Sequence, residues 1–294
     1  MAHCIVPSAE EILDREFPVL DRGFVRLVDY LGSDERIVQA ARVSYGKGTK
    51  TFREDRGLIF YLLRNEHTSP FEQVVLTFHV KLPIFVARQW IRHRTARVNE
   101  ISGRYSVLKD EFYLPALEDL AAQSRDNKQG RAPEPFPEEQ GESIRERIEK
   151  AHRHSYQVYE ELLGTGLARE VARIVLPLSA YTEWYWQIDL HNLMHFLKLR
   201  LDAHAQKEIR LYARVIFEIT RRVCPIAMEA FEEHVLRGVT FSGKEREALR
   251  ALLKARSAGD GEQGDLSGEA WAAAASASGL EGKELERFRE KLLG

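Results

Sequence analysis

Val74-Val75-Leu76-Thr77-Phe78-His79-Val80 is an unbroken run rich in β-branched and aromatic residues, and Pro83 just beyond it suits the first turn of a helix. The spacing therefore predicts a strand, a short turn and a helix reaching to about Arg94. Upstream, Ser33 and Asp34 can cap a helix over Glu35 to Tyr45 that ends at Gly46, and a second helix carries Leu58 to Leu63. Downstream, Gln123 to Ser143 holds Gly130, Pro133, Pro135, Pro137 and Gly141 among charged residues, which reads as a flexible surface loop. Ile148, Ala151, Val158, Tyr159 and Leu162 recur at helical spacing up to Gly164, and a short helix follows from Ala168 to about Leu176. Tyr181 to Ile188 is aromatic and β-branched, hence a strand. Leu190, Leu193, Met194, Leu197 and Leu201 mark an amphipathic helix, and Ile209 to Val223 marks a longer one that stops near Pro225. The core closes with Phe231 to Leu236. Strands lie between helices without a βαβ rhythm or an internal repeat, so an α+β domain over residues 1–241 is expected. Beyond Thr240 the apolar density drops and Ser257 to Gly282 is filled with Ala, Gly and Ser. Residues 242–294 therefore read as a flexible or weakly helical appendage, with a charged helix near Glu284 to Leu293.

The 294 residues are 44% hydrophobic and 30% charged, a composition that supports a buried core. Lys and Arg number 43 against 45 Asp and Glu, so the net charge of −2 offers no global attraction to nucleic acid or an anionic membrane. No apolar run reaches membrane-spanning length, and the opening MAHCIVPSAEEILDREF turns acidic early, so a cytoplasmic protein without membrane or nucleic-acid partners is expected. Cys4 and Cys224 are too few for a thiolate zinc site or a disulfide framework.

The charge is uneven in one place. Arg88, Arg92, Arg94, Arg97 and Arg104 share the segment from Arg88 to Ser106 with a single acid, Glu100. Such a cluster is either a solvated helix end or a grip on an anion. Asn99, Glu100, Ser102 and Gly103 suit a ligand-binding loop better than a continued helix and favour the grip, with guanidinium forks on a phosphate. No GxGxxG or GxxxxGK[ST] motif accompanies it, so side chains must do the holding. A nucleic-acid-binding protein using this segment is the non-enzyme alternative. His191 and His195 stand four apart with Asp202 seven further on, which is zinc-ligand spacing, but Asn192 replaces the glutamate of an HExxH motif and no metal is expected. Trp90, Trp184 and Trp186 read as core or interface aromatics.

Arg92-His93-Arg94, seven residues and then Ser102 resemble the RHR-x7-S signature of the flavin-dependent thymidylate synthases. The chain is also similar to that family in His67-Thr68-Ser69-Pro70-Phe71-Glu72, in Glu170-Val171-Ala172-Arg173 before Ile174-Val175-Leu176-Pro177, and in Asp189-Leu190-His191-Asn192 through Leu199-Arg200-Leu201-Asp202-Ala203-His204-Ala205-Gln206. The blocks arrive in family order over about residues 20–238. The resemblance implies the fold of the thymidylate synthase-complementing proteins, α+β with an antiparallel sheet flanked by helices, assembled as a homotetramer with shared active sites. It implies conversion of dUMP to dTMP with FAD, 5,10-methylenetetrahydrofolate as one-carbon donor and NADPH as reductant, without a cysteine nucleophile. A different flavin- or nucleotide-dependent transferase on the same scaffold is the alternative enzyme.

The same resemblance implies dUMP contacts for Gln89, Trp90, Ile91, Arg92, Glu100, Ile101, Ser102, Gly103, Arg104, Arg173 and Arg200, with Arg92, Ser102 and Arg104 at the phosphate. Arg200 becomes the candidate catalytic residue, a fixed cation that favours negative charge on the pyrimidine; as a bare helix-end arginine it would instead neutralise Asp202. FAD contacts are implied for Ser69, Arg92, His93, Arg94, Glu100, Asp189, Leu190, His191 and His195, with His67 near the flavin and folate. Asp189 and His195 stand where relatives often carry Asn, so contacts there run through backbone or imidazole. Ser102, lacking a nucleophile elbow, reads as a phosphate-positioning residue.

Overall fold

The computed structural model describes residues 4–43, 52–125, 129–257 and 268–293. The chain divides into two compact units, residues 1–236 and 237–294. In the first, a single turn α1 (Pro7–Glu10) leads into β1 (Glu16–Val19) and β2 (Gly23–Leu31), then helices α2 (Asp34–Ala41) and α3 (Phe52–Arg64). β3 (Val75–Pro83) runs into α4 (Ile84–Trp90), followed by β4 (Arg97–Glu100), the hairpin strands β5 (Ala121–Gln123) and β6 (Arg131–Pro135), and α5 (Glu138–Gly164). The short α6 (Arg169–Ala172), β7 (Tyr181–Asp189), α7 (Leu190–Arg200), α8 (Lys207–Val223) and α9 (Pro225–Phe231) complete it.

Five strands form an antiparallel sheet in the order β1-β2-β3-β7-β4. Period-two alternation explains its two faces. Leu76, Phe78 and Val80 of β3 stand opposite Ile188, Trp186 and Trp184 of β7, and all six are buried. Thr77, His79 and Lys81 face Gln187, Tyr185 and Glu183 on the other, polar side. Helices α4, α7 and α8 pack against strands of the sheet, and α8 buries Ile209, Tyr212, Ala213, Ile216 and Val223 on one stripe. Tyr212 donates to the carbonyl of Lys81 at 2.7 Å, and a Cβ on Gly23 would lie 2.0 Å from that hydroxyl, so the start of β2 requires glycine.

The expected α+β class and antiparallel sheet are present, with local corrections. The helix after Pro83 stops at Trp90 rather than Arg94. Asn99 and Glu100, expected in a loop, belong to the sheet's edge strand Arg97–Glu100, exposed at all four positions, because its backbone pairs with β7 even though its side chains carry no apolar alternation. The stretch 123–143 is not one flexible loop: β5 pairs with β6, and α5 begins at Glu138, six residues before Ile144. Arg131 supplies the reason, since its guanidinium reaches buried Glu208 at 2.6 Å and the Asp119 carbonyl at 2.8 Å. The expected helix over 35–45 closes at Ala41; its end at Tyr45 and Gly46 lies outside the described residues.

Among its described residues the second unit holds three helices, α10 (Gly243–Ser257), α11 (Gly268–Ser278) and α12 (Gly282–Leu293), of which the last covers the expected charged helix near Glu284 to Leu293. Ala248, Leu252, Trp271, Ala274, Leu280 and Phe288 form a core of their own, in which the alanines allow close helix approach. Ser242 and Glu245 form a capping box, each accepting from the other's backbone amide, at 3.3 and 2.6 Å. No helix among the described residues is long and apolar enough to cross a membrane.

One long-range cap makes stability depend on pH. The carboxylate of Asp34 accepts from Ile226 N at 2.8 Å and Ala227 N at 2.9 Å, tying α2 to the start of α9. Burial raises its carboxyl from 3.8 to about 6, with Glu35 adding to the rise and the two amides opposing it. Between these values the folded chain holds a proton that the unfolded chain has released, so the contribution of Asp34 falls as pH rises from about 4 to about 6. Asp34→Asn is expected to flatten this decline by about 2 kcal/mol, read from urea denaturation at about pH 4 and about pH 6.5. An unchanged slope in the variant removes the assignment.

Candidate active site

Trp90, the last residue of α4, is 1% exposed and packs its ring against Phe196 at 4.8 Å, Trp186 at 5.0 Å and Trp184 at 5.6 Å between ring centres. Its carbonyl accepts from His93 N at 3.0 Å, so the arginine-rich turn leaves the core from a rigid anchor. Beyond it opens a recess of about 270 Å³, lined by the Arg92-His93-Arg94-Thr95 turn, by Ile188 of β7 and by Asn192, His195, Leu199 and Arg200 of α7.

Within it, Arg200 Nε donates to His93 Nε2 at 3.0 Å, and its NH2 donates to the Gln89 carbonyl at 3.3 Å. Burial, then the charges of Arg200 and His195, pushes His93 down to about 4, so its ring is neutral at pH 7 and Nε2 is free to accept. Burial and the neighbouring Arg92 likewise lower Arg200. Asp202 does not neutralise it, because that carboxylate accepts from His204 N at 2.8 Å and meets His204 Nδ1 at 2.9 Å. Among the described residues, Arg88, Arg92, Arg94, Arg97, Arg173 and Arg200 meet no carboxylate within ion-pair distance. A half-enclosed recess with several uncompensated guanidinium groups is suited to anionic ligands, including a pyrophosphate.

A second cluster lies at the other end of β4. Ile101 N donates to the Glu183 carbonyl at 2.9 Å, and the turn that follows brings Ser102-Gly103-Arg104 against α6. Arg104 Nε pairs with Glu170 at 3.0 Å, and Ser102 Oγ accepts from Arg104 N at 3.3 Å. A Cβ on Gly103 would fall 3.1 Å from Arg173 Cδ and 3.2 Å from Leu108 Cδ1, so glycine there lets the Arg173 side chain lie across the turn. Glu100 accepts from Thr182 Oγ1 at 2.6 Å. The fold thus joins Gly103 to Arg173, and His93 to Arg200, across 70 and 107 positions of sequence. Four strand residues, roughly 13 Å, separate the two clusters within one chain.

Other expected residues fall elsewhere. Trp90 is enclosed by aromatic rings, so its side chain serves the core and only its backbone is left for a ligand. Leu190 is fully buried and its amide donates to the Val74 carbonyl at 2.8 Å, so neither its side chain nor its N–H is open to a cofactor. Asp189 caps α7 with both oxygens, accepting from Asn192 N at 2.9 Å and Asn192 Nδ2 at 2.8 Å. His191 is half-buried on α7, and His67 and Ser69 are exposed in the loop before β3, outside the recess lining; the His67 ring sits edge-on to Tyr61, 5.8 Å between centres. Ile91 and Ile101 are exposed. The sequence reading missed Asn192 and Leu199 as lining groups, although their i, i+3, i+7 spacing with His195 places all three on one helix face. Among the described residues no group of three His, Cys, Asp or Glu is placed to hold a metal ion. Cys224 is fully buried, which pushes its thiol well up, and Cys4 Sγ lies 3.1 Å from Ser33 Oγ.

Comparison with known proteins agrees with this arrangement. Residues 26–226 match the family described as thymidylate synthase complementing protein, and residues 239–293 match the thymidylate synthase ThyX C-terminal domain. The chain is 62% identical over 280 residues to a flavin-dependent thymidylate synthase of Treponema denticola, covering 95% of this chain and 98% of that one. It is 55% identical to a protein of the same description from Thermus thermophilus, covering 94% and 96%. Among solved structures it resembles a UMP/dUMP methylase, PolB from Streptomyces cacaoi bound with 5-Br dUMP, at 34% identity and a TM-score of 0.67, covering 74% of this chain and 97% of that one. A family match over two thirds of the chain and identities of 55% and 62% over nearly its whole length show that the chain belongs to the flavin-dependent thymidylate synthase family.

Proposed function

We propose that this protein is a flavin-dependent thymidylate synthase that reductively methylates dUMP to dTMP, with 5,10-methylenetetrahydrofolate as one-carbon donor, NADPH as reductant and FAD as bound cofactor. The observation that carries this reading is Arg200: half-buried at the recess, unopposed by any described carboxylate and oriented by a neutral His93. Set against the carbonyl edge and N3 of a uracil ring, that cation favours negative charge on the ring and makes C5 nucleophilic without covalent attack by the protein. Arg92, Ser102, Arg104 and Arg173 hold the nucleotide, the guanidinium groups and the Ser102 hydroxyl on its phosphate. Arg92, Arg94 and the imidazoles of His93 and His195 hold the cofactor, whose pyrophosphate fits the uncompensated guanidinium groups. Asp189 acts indirectly by capping α7. When bound and reduced by NADPH, the flavin would supply the two electrons that convert a transferred methylene to a methyl group.

Assembly as a homotetramer with shared sites belongs to the same reading. Tyr105 is 79% exposed, Ile174 75% and Leu178 63%, an apolar surface around the Ser102 to Arg173 cluster that a second copy would cover. Apposition of protomers would also bring together the two clusters that one chain holds apart. The test is dTMP formation by the purified protein from dUMP, methylenetetrahydrofolate and NADPH, alongside its mass by sedimentation. The expected results are dUMP-dependent product, bound flavin and a mass fourfold that of the chain. A yellow protein that makes no dTMP favours another transferase on this scaffold; a flavin-free protein that binds RNA in a salt-sensitive way ends the enzyme reading.

A further inference from the structure

The long helix α5 has no part in the chemistry described so far, yet it packs against α6 and the turn Arg173–Val175 beside the Ser102 to Arg173 cluster. His152, Tyr156 and Tyr159 recur on it at i, i+4 and i+7 and so share one face. Between Glu100 and Leu117 the chain forms no helix and, apart from an isolated bridge at Phe112, no strand, so its backbone groups depend on other partners. At Leu108 the partners are tyrosines. Its N–H donates to the Tyr159 hydroxyl at 3.2 Å, and its carbonyl accepts from the Tyr156 hydroxyl at 3.1 Å. Tyr159 is fully buried, its ring 5.8 Å from that of Tyr156 between centres, and Phe112 meets Tyr156 edge-on at 6.2 Å. His152 stacks on Phe112 at 4.9 Å and meets Ser179 Oγ at 2.8 Å, in the segment that joins Arg173 to β7.

The two hydroxyls hold the peptide groups on either side of the Leu108 Cα, which fixes the direction in which its side chain leaves the backbone. That side chain covers Gly103: Leu108 Cδ1 and Cγ lie 3.2 and 3.4 Å from where a Cβ on Gly103 would stand, and Arg173 Cδ lies 3.1 Å from the same point. We infer that Tyr156 and Tyr159 are positioning residues for the Ser102-Gly103-Arg104 turn, keeping Leu108 against the glycine so that the space beside it fits the Arg173 stem and little else. Packing alone would need only the rings, which phenylalanine would supply. Two hydroxyls aimed at the two peptide groups of one residue instead define a loop that has no secondary structure to define it. The inference rests on the proposed placement of the dUMP phosphate at this turn for its effect on binding, but the hold on Leu108 stands apart from that placement.

The test uses the full-length, flavin-loaded protein with Tyr156→Phe and Tyr159→Phe, each of which keeps the ring and removes the hydroxyl. One readout is amide hydrogen exchange at Tyr105 and Ser106, whose N–H groups donate to the Ser102 carbonyl at 3.1 and 3.2 Å; the other is binding of dUMP against deoxyuridine by competition calorimetry. Exchange at these two amides is expected to quicken about fivefold or more in each variant. Affinity for dUMP is expected to fall about fivefold, the usual worth of one hydrogen bond, with affinity for deoxyuridine changed less than about twofold, because the nucleoside has no phosphate to place at the turn. KM for dUMP is expected to rise in step, with turnover at saturation changed less than about twofold. Leu108→Ala uncovers Gly103 while leaving both hydroxyl bonds in place; it is expected to reproduce the loss, and Tyr159→Phe is expected to add less than about twofold to it. A lowered melting temperature with unaltered exchange overturns the inference, as does a full preference for dUMP over deoxyuridine in the variants. Should Tyr159→Phe fail to fold, the half-buried Tyr156→Phe and Leu108→Ala decide by the same two readouts. A wild-type protein that binds deoxyuridine as tightly as dUMP counts against the proposed phosphate placement, while the exchange rates still decide whether the tyrosines hold the turn.

Discussion

Arg200→Ala is expected to lower dTMP formation by about 10²- to 10³-fold, the usual cost of removing one charge-stabilising donor from an enclosed site. Lysine is expected to restore little, because an ammonium cannot reproduce the fork that meets both the His93 ring and the Gln89 carbonyl. The variant should still fold, since the guanidinium lies at a recess rather than in the core and its loss leaves no described carboxylate unpaired. dUMP binding, measured by calorimetry without folate, is expected to weaken far less than turnover, because the proposed reading puts the phosphate on Arg92, Ser102 and Arg104. Removing Arg200 also removes the cation that helps keep His93 unprotonated, so the His93 midpoint should rise from about 4 in the same variant. Near-equal product formation by wild type and variant would eliminate the electrostatic role.

Trp90→Ala is expected to destabilise the first unit by roughly 3–5 kcal/mol, measured by chemical denaturation. The ring is 1% exposed and contacts Trp184, Trp186, Phe196 and Tyr212, so truncation leaves a large cavity where α4, α7, α8 and β7 meet. Trp90→Phe separates packing from polarity. The indole N–H has no partner, so phenylalanine strands no acceptor and the expected loss is about 1–2 kcal/mol. The carbonyl of the same residue holds His93, so the alanine variant should also lose affinity for the cofactor beyond what a remote destabilising change causes. A variant as stable as wild type would mean that the arginine-rich turn does not depend on this aromatic cluster.

These two residues mark the range of what was legible in the sequence. Arg200 could be singled out because it sits in a motif block, but its freedom from Asp202 could not, since that depends on a turn in which Asp202 is taken by His204. Trp90 is legible as a core aromatic, and its ring is buried as that reading expects. The edge strand Arg97–Glu100 leaves no signature in the sequence, because an edge strand needs no apolar alternation when both of its faces meet solvent. Residues 123–143 were read as flexible because proline and charge usually prevent burial, whereas Arg131 finds a buried carboxylate 77 positions away. The core of the second unit is hidden in the sequence because alanine-rich sequence has little apolar area per residue, although its final charged helix and its capping box are legible.

By itself the sequence determined the class of fold, the long helices, the two central strands and the family, because each of these is written in local periodicity or in contiguous motif blocks. Only the tertiary structure decided which arginines are free, which histidine is neutral, and that the side chains of Asp189, Trp90 and Leu190 are engaged in the scaffold. The physical reason is range: periodicity and capping act over a few residues, whereas desolvation and charge compensation are set by groups that folding brings from a hundred positions away.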